Sequence, residues 1–246
     1  MTAFISSVAA LAMALTLSAF AQHPRPDAIA QTKQRVHDVL ASAAPNSQAD
    51  ADAVAGSVNA AIDAFLTENI NLGGTDVAPA NIEAALRQIL PEYSETHVFL
   101  GGTKTSPHMV VEFSFPVPQW RQSVNLRAYT ATPNGMTRAS VADTMLDHHC
   151  DIEALRVRSD VDGETAVLLS GYGCTANGPR NRMRLFAFDG KTLRTVWMPA
   201  DAWGTFKIAV SGESFRVTGD YYREERRRDD RYVYLSGTIT DIGPIK

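Results

Sequence analysis

The chain has 246 residues and a net charge of −4, from 23 basic and 27 acidic side chains, with 45% apolar and 20% charged residues. That composition excludes a disordered or fibrous protein, and a chain of this length buries about 70% of its unfolded surface in one or two domains. The near-neutral total argues against a nucleic-acid platform, for which a local basic patch would be needed.

Met1 to Ala21 carries no charged side chain, and its middle is rich in Ala, Leu, Met and Val. It closes on Ala19-Phe20-Ala21, the small-x-small pattern of a signal-peptidase site, although no Lys or Arg precedes the apolar run. The run is broken by Thr16 and Ser18 and falls short of the ~20 residues a bilayer span needs. Residues 1–21 therefore read as a signal peptide cut after Ala21, giving a secreted or periplasmic protein with no membrane span. Export suits the two cysteines, Cys150 and Cys174, because an even count in an oxidising compartment reads as a disulfide. Closing that loop of about 25 residues would stabilise the fold by roughly 3 kcal/mol.

Residues 22–92 read as a helical region. Pro26 and Asp27 open a segment with Ile29, Val36, Leu40 and Ala43 on one face, ended by Pro45. Ser47 and Asp50 form a capping-box pattern ahead of Val54, Val58, Ile62, Phe65 and Leu66 at helical spacing. Gly73-Gly74 ends that helix, and Ile82, Ala85, Leu86, Ile89 and Leu90 make a third, stopped by Pro91. Four basic against nine acidic side chains leave this region acidic, and helices this short and Ala-rich need a surface to pack on.

Residues 93–246 switch to a period of two and read as an antiparallel β domain. Met109, Val111, Phe113 and Phe115 alternate with Val110 and Glu112, and Pro116 and Pro118 break the ladder. Asn134-Gly135, Asp162-Gly163, Asp189-Gly190 and Ser211-Gly212 fall between alternating runs as hairpin turns. The sum is an α+β fold, with N-terminal helices packed on about nine or ten short strands. Their arrangement is a sandwich, a curved sheet or propeller-like hairpins. Leu185 to Trp197 resembles one propeller-blade hairpin, but a full propeller needs more strands than the chain has.

His-Glu-x-x-His, Gly-x-Ser-x-Gly and Ser-x-x-Lys motifs are absent from the sequence, and the leading expectation carries no cofactor and no metal. Four clusters carry polar chemistry. Asp147-His148-His149-Cys150-Asp151 offers imidazole and carboxylate, but adjacent strand residues face opposite ways and cannot grip one ion. Ser159-Asp160-Val161-Asp162-Gly163-Glu164 resembles the start of a calcium loop without its later ligands, and a hairpin turn explains it. Residues 221–232 interleave Arg with acids, as in a self-paired hairpin tip. Gly171 to Arg180 reads as a long loop pinned by the Cys150–Cys174 bridge, which would set His148 and His149 beside Tyr172, Asn177 and Arg180. The expectation is a non-enzymatic binding module taking a small anion, a glycan or a protein partner on that loop. The alternatives are an exported metal-dependent hydrolase built on His148, His149 and Asp151 with His97 or His108, and a structural module of the envelope.

Overall fold

The computed structural model describes residues 23–43, 48–71, 78–117, 121–147, 149–159, 161, 163–175, 178–199, 202–222 and 227–243. Three helices and twelve strands lie among them: α1 (Pro26–Ser42), α2 (Gln48–Asn69) and α3 (Pro79–Ile89), then β1 (Thr96–Thr103), β2 (Ser106–Val117), β3 (Arg121–Thr132), β4 (Gly135–Asp147), β5 (His149–Val157), β6 (Thr165–Thr175), β7 (Gly178–Phe188), β8 (Leu193–Trp197), β9 (Ala202–Ser211), β10 (Ser214–Tyr221), β11 (Arg227–Leu235) and β12 (Thr238–Asp241). The fold is α+β with antiparallel pairing, as the alternation of period predicts. The leader segment 1–21 lies outside the described residues. No helix among the described residues is long and apolar enough to cross a membrane.

The helices begin where proline presets the first turn, at Pro26 and Pro79, and Asp27 favours the positive end of α1. Each buries one stripe: Ala28, Thr32 and Val36 on α1, Val58, Ile62, Phe65 and Leu66 on α2, Ile82, Ala85, Leu86 and Ile89 on α3. Those stripes share one core with Met109, Val111, Phe113 and Phe115 of β2. Burying each large apolar side chain contributes roughly 1.5–3 kcal/mol, which is what makes helices this short stable.

The strands form two sheets. One runs β1-β2-β3-β4; the other runs β12-β11-β10-β9-β7-β6-β5, with β8 also on β7. The odd positions of β2 face the helices, and its even position Val110 meets Val124 and Leu126 of β3 and Ile152, Val167, Leu169, Phe186 and Phe188 of the second sheet. The first sheet is thus covered on both faces. At Gly101 the layers come so close that an added Cβ would lie 1.7 Å from Thr165 Oγ1.

The second sheet covers itself. β7 pairs with β9 only at Arg180↔Trp203 and Asn181↔Ala202, after which β8 takes over its edge. Freed from β7, β9 to β11 bend back so that Phe206, Phe215, Val217 and Tyr234 pack on Leu168, Met183 and Leu185. Pro116 does not end β2, which continues to Val117 with Pro116 opposite Gln122. The turns at Asn134-Gly135 and Asp189-Gly190 are hairpin connections, the latter fixed by Asp189 Oδ1 accepting from the Lys191 and Thr192 amides at 2.8 Å each.

Candidate functional site

The segment 171–180 is not a long loop. β6 runs through Thr175 and β7 starts at Gly178, the two paired to the end, so only positions 176 and 177 lie between them. Gly, Asn and Pro give the segment a loop-like composition, yet its backbone continues the ladder. At Gly178, φ is +116°, and an added Cβ would meet the Tyr222 ring at 2.4 Å, so that ring lies against the hairpin where a side chain would stand.

Register draws a line across the sheet. His149 of β5 pairs with Gly173 of β6, Gly173 with Arg180 of β7, and Arg180 with Trp203 of β9. The Tyr222 amide then donates to the Trp203 carbonyl at 2.9 Å. At about 4.8 Å per strand, Gly173 leaves a gap of roughly 10 Å between the backbones at 149 and 180. Tyr172 pairs with Asp151 and with Asn181 rather than with Arg180. The register shifts between His149 and Asp151, which puts Cys150 at an irregularity of β5, while Cys174 pairs with Pro179. His148 and Asn177 lie outside the described residues, as do the side chains of His149, Cys150, Asp151, Tyr172 and Cys174. No disulfide is seen among the described side chains.

Strand alternation joins Arg180, which the sequence already singled out, to Arg182, Arg184 and Trp203, which it did not. On β7, Phe188 and Phe186 belong to the core between the sheets, and Arg184, Arg182 and Arg180 continue the same face toward the hairpin. All three arginines are half-buried. Their partners on β6 are Leu169, Gly171 and Gly173, so two of the three lie across from glycine. Arg184 donates to Thr144 Oγ1 of the first sheet at 2.6 Å. Arg180 stands 5.4 Å from the centroid of the Trp203 ring, and Trp203 is 39% exposed. The signal was present as Arg-x-Arg-x-Arg opposite Gly-x-Gly, a period of two. The gap beside Gly171, Arg182, Arg184 and Thr144 holds only about 10 Å³, about one water, so a ligand here would lie across the face.

The other clusters are structural. Glu164 turns inward, accepting from Ser159 Oγ at 2.7 Å, Arg194 Nη2 at 2.6 Å and the Tyr234 hydroxyl. It borders a cleft of about 560 Å³ with Arg156, Arg158 and Gly212, at the opposite end of β6 from the hairpin. Asp160 and Asp162 lie outside the described residues. Arg228 binds Asp230 at 2.6 Å within residues 221–232, whereas Asp229 of that segment is bound through two 2.7 Å bonds by Arg216 of β10, outside it.

The two histidines invoked for a metal shell have other partners. His108 is buried, edge-on to Phe188, with Nε2 at 2.7 Å from Thr165 Oγ1. His97 Nδ1 lies 3.0 Å from Glu112 Oε2, and Glu112 is wholly buried with Oε1 unpartnered. Burial pushes the Glu112 carboxyl up to about 7, and the hydrogen bond to Glu112 raises the His97 imidazole. Among the described residues no group of three or more His, Cys, Asp or Glu is placed to hold a metal ion.

Comparisons with protein-family models, with curated proteins and with solved structures find no match.

Proposed function

We propose that this is an exported binding protein whose ligand is an acidic saccharide, held across the hairpin end of the second sheet. The observation that carries the reading is the run of three half-buried arginines on one face of β7, two of them opposite glycine, ending against an exposed indole. Guanidinium forks match carboxylate or sulfate groups in a bidentate way, and the exposed indole gives an apolar face for the C–H side of a pyranose ring. A charged sugar uses both; a bare small anion uses only the arginines. In the backbone register His149 stands across Gly173 from Arg180, and Tyr172 precedes Gly173 on β6.

The leader at residues 1–21 supports export, and export supports a Cys150–Cys174 bridge. The bridge would tie β5 to the β6–β7 hairpin and fix the spacing between positions 149 and 180. Pre-fixed spacing lowers the ordering cost of binding.

Calorimetric titration tests the reading with uronic-acid and sulfated oligosaccharides and their neutral counterparts. Binding of the acidic sugars, lost in Trp203→Ala and in the double variant Arg180→Met/Arg182→Met, is the expected result. Binding that ignores the acid group, or survives both changes, overturns it.

A further inference from the structure

The arginine row has a closed end and an open end. At the closed end the first sheet lies against it: Arg184 donates to Thr144 Oγ1 of β4 at 2.6 Å, and the gap beside them holds about 10 Å³. At the open end Arg180 meets Trp203, and β9 carries the row on. The two strands are antiparallel, so the path from Arg184 to Arg180 on β7 and the path from Trp203 to Lys207 on β9 run the same way.

β9 alternates without a break over that stretch. Ala202, Gly204 and Phe206 are buried, whereas Trp203, Thr205 and Lys207 are exposed on the face that Arg180 shares. Four residues of strand put the backbone of Lys207 about 13 Å beyond that of Trp203. Among the described residues Lys207 makes neither a hydrogen bond nor an ion pair. Its register partner on β10 is Thr218, and beyond Thr218 stands Asp229, which Arg216 holds through two 2.7 Å bonds. The Lys207 ammonium is thus an uncommitted cation on the open continuation of the row.

The position between the two cations has a different chemistry. Thr205 has Asp220 opposite it on β10, exposed, with Arg227 opposite Asp220 on β11. A carboxylate at that point repels a second acid and accepts hydrogen bonds from hydroxyls. From Arg180 to Lys207 the order is therefore cation and indole, then hydroxyl and carboxylate, then cation.

Resting on the acidic-saccharide reading, we infer that the ligand is a chain with acid groups on alternate rings. One acid group meets Arg180, a neutral ring lies over Thr205 and Asp220, and the next acid group meets Lys207. A single acidic ring reaches only the arginine end. A second acid on the same chain meets Lys207 at the high effective concentration that the first contact provides.

Calorimetric titration of the intact protein with oligosaccharides of alternating glucuronic acid and N-acetylglucosamine tests this, the disaccharide carrying one acid group and the tetrasaccharide two. The expected result is a tetrasaccharide that binds about fivefold tighter than the disaccharide, the size of one exposed ion pair. Lys207→Met should abolish that gain without changing the disaccharide affinity or the melting temperature, and Lys207→Arg should keep it. Equal affinity at the two lengths, or a gain that survives in Lys207→Met, overturns the chain and leaves the acidic-saccharide reading standing. Tighter binding of a galacturonic-acid tetramer, with an acid on every ring, overturns the alternation. Absence of binding by all of these sugars overturns both.

Discussion

The Arg180 guanidinium lies 5.4 Å from the centroid of the Trp203 ring, and the two are direct register partners on β7 and β9, although all of β8 lies between them in the chain. The contact marks the place where β9 leaves β7 and the second sheet begins to bend. Under the proposed function the pair also binds ligand, and the choice of substitution separates that role from stability. Trp203→Ala removes an exposed ring and a contact worth about 0.5–2 kcal/mol. Its unfolding free energy should fall by no more than that in a denaturant titration, while affinity for acidic sugars is lost.

Gly178 responds differently. Its φ of +116° is one that side chains rarely adopt, and the Tyr222 ring fills the space a Cβ would need. Gly178→Val should cost about 2–3 kcal/mol, from backbone strain together with displacement of the ring. Denaturant midpoints of the variant and the parent check this.

Much of the architecture was legible because local chemistry and tertiary packing agree. The helical stripes of Val58, Ile62 and Leu66 and the hairpins at Asn134-Gly135 and Asp189-Gly190 all follow from spacing and turn residues. The arginine row was hidden by composition: Gly171, Gly173 and Pro179 read as loop, and a loop has no faces to alternate. Trp203 could not be placed beside Arg180 from sequence, because two residue pairs of β7–β9 register are fixed by where β8 intervenes. Glu112 illustrates the third gap. Alternation sets it opposite to Val111 and Phe113, which reads as the solvent side, but that side of β2 is covered by the second sheet.

That burial gives a pH dependence. The folded protein holds a proton on Glu112 up to about 7, and on His97 above its ordinary value, while the unfolded chain releases them near 4.3 and 6.5. Both groups bind their proton more tightly when folded, so their contribution is fully present at acid pH and is lost as pH rises through neutrality. Between about pH 5 and 8 the parent should lose of order 2 kcal/mol relative to Glu112→Gln. Unfolding free energies of the two proteins should be closest at the acid end, where both side chains are neutral, and separate toward the alkaline end if Glu112 is the group; they should run parallel if it is not.

The ion pair of Glu164 and Arg194 is asymmetric: the Glu164 side chain is 1% exposed and that of Arg194 is 40%. Removing the arginine strands a buried carboxylate, whereas removing the acid leaves a cation that water reaches. Arg194→Met should therefore cost about 3–4 kcal/mol and Glu164→Gln about 1–2 kcal/mol, read from chemical denaturation.

The proposed Cys150–Cys174 bridge has its own readout. With the bridge, the protein should be two hydrogen masses lighter than its reduced form, and Cys150→Ser/Cys174→Ser should lower stability by roughly 3 kcal/mol.

The most direct test of the proposed binding face is to follow the tryptophan indole N–H signals of the protein by nuclear magnetic resonance during titration with an acidic oligosaccharide. Assignment comes from Trp203→Phe. The Trp203 signal and the Gly173 amide should shift together and saturate, while that of Trp197, packed against Phe215 and Tyr232, stays in place. Shifts confined to other parts of the molecule, or a Trp203 signal that does not move while the sugar binds, would contradict the account.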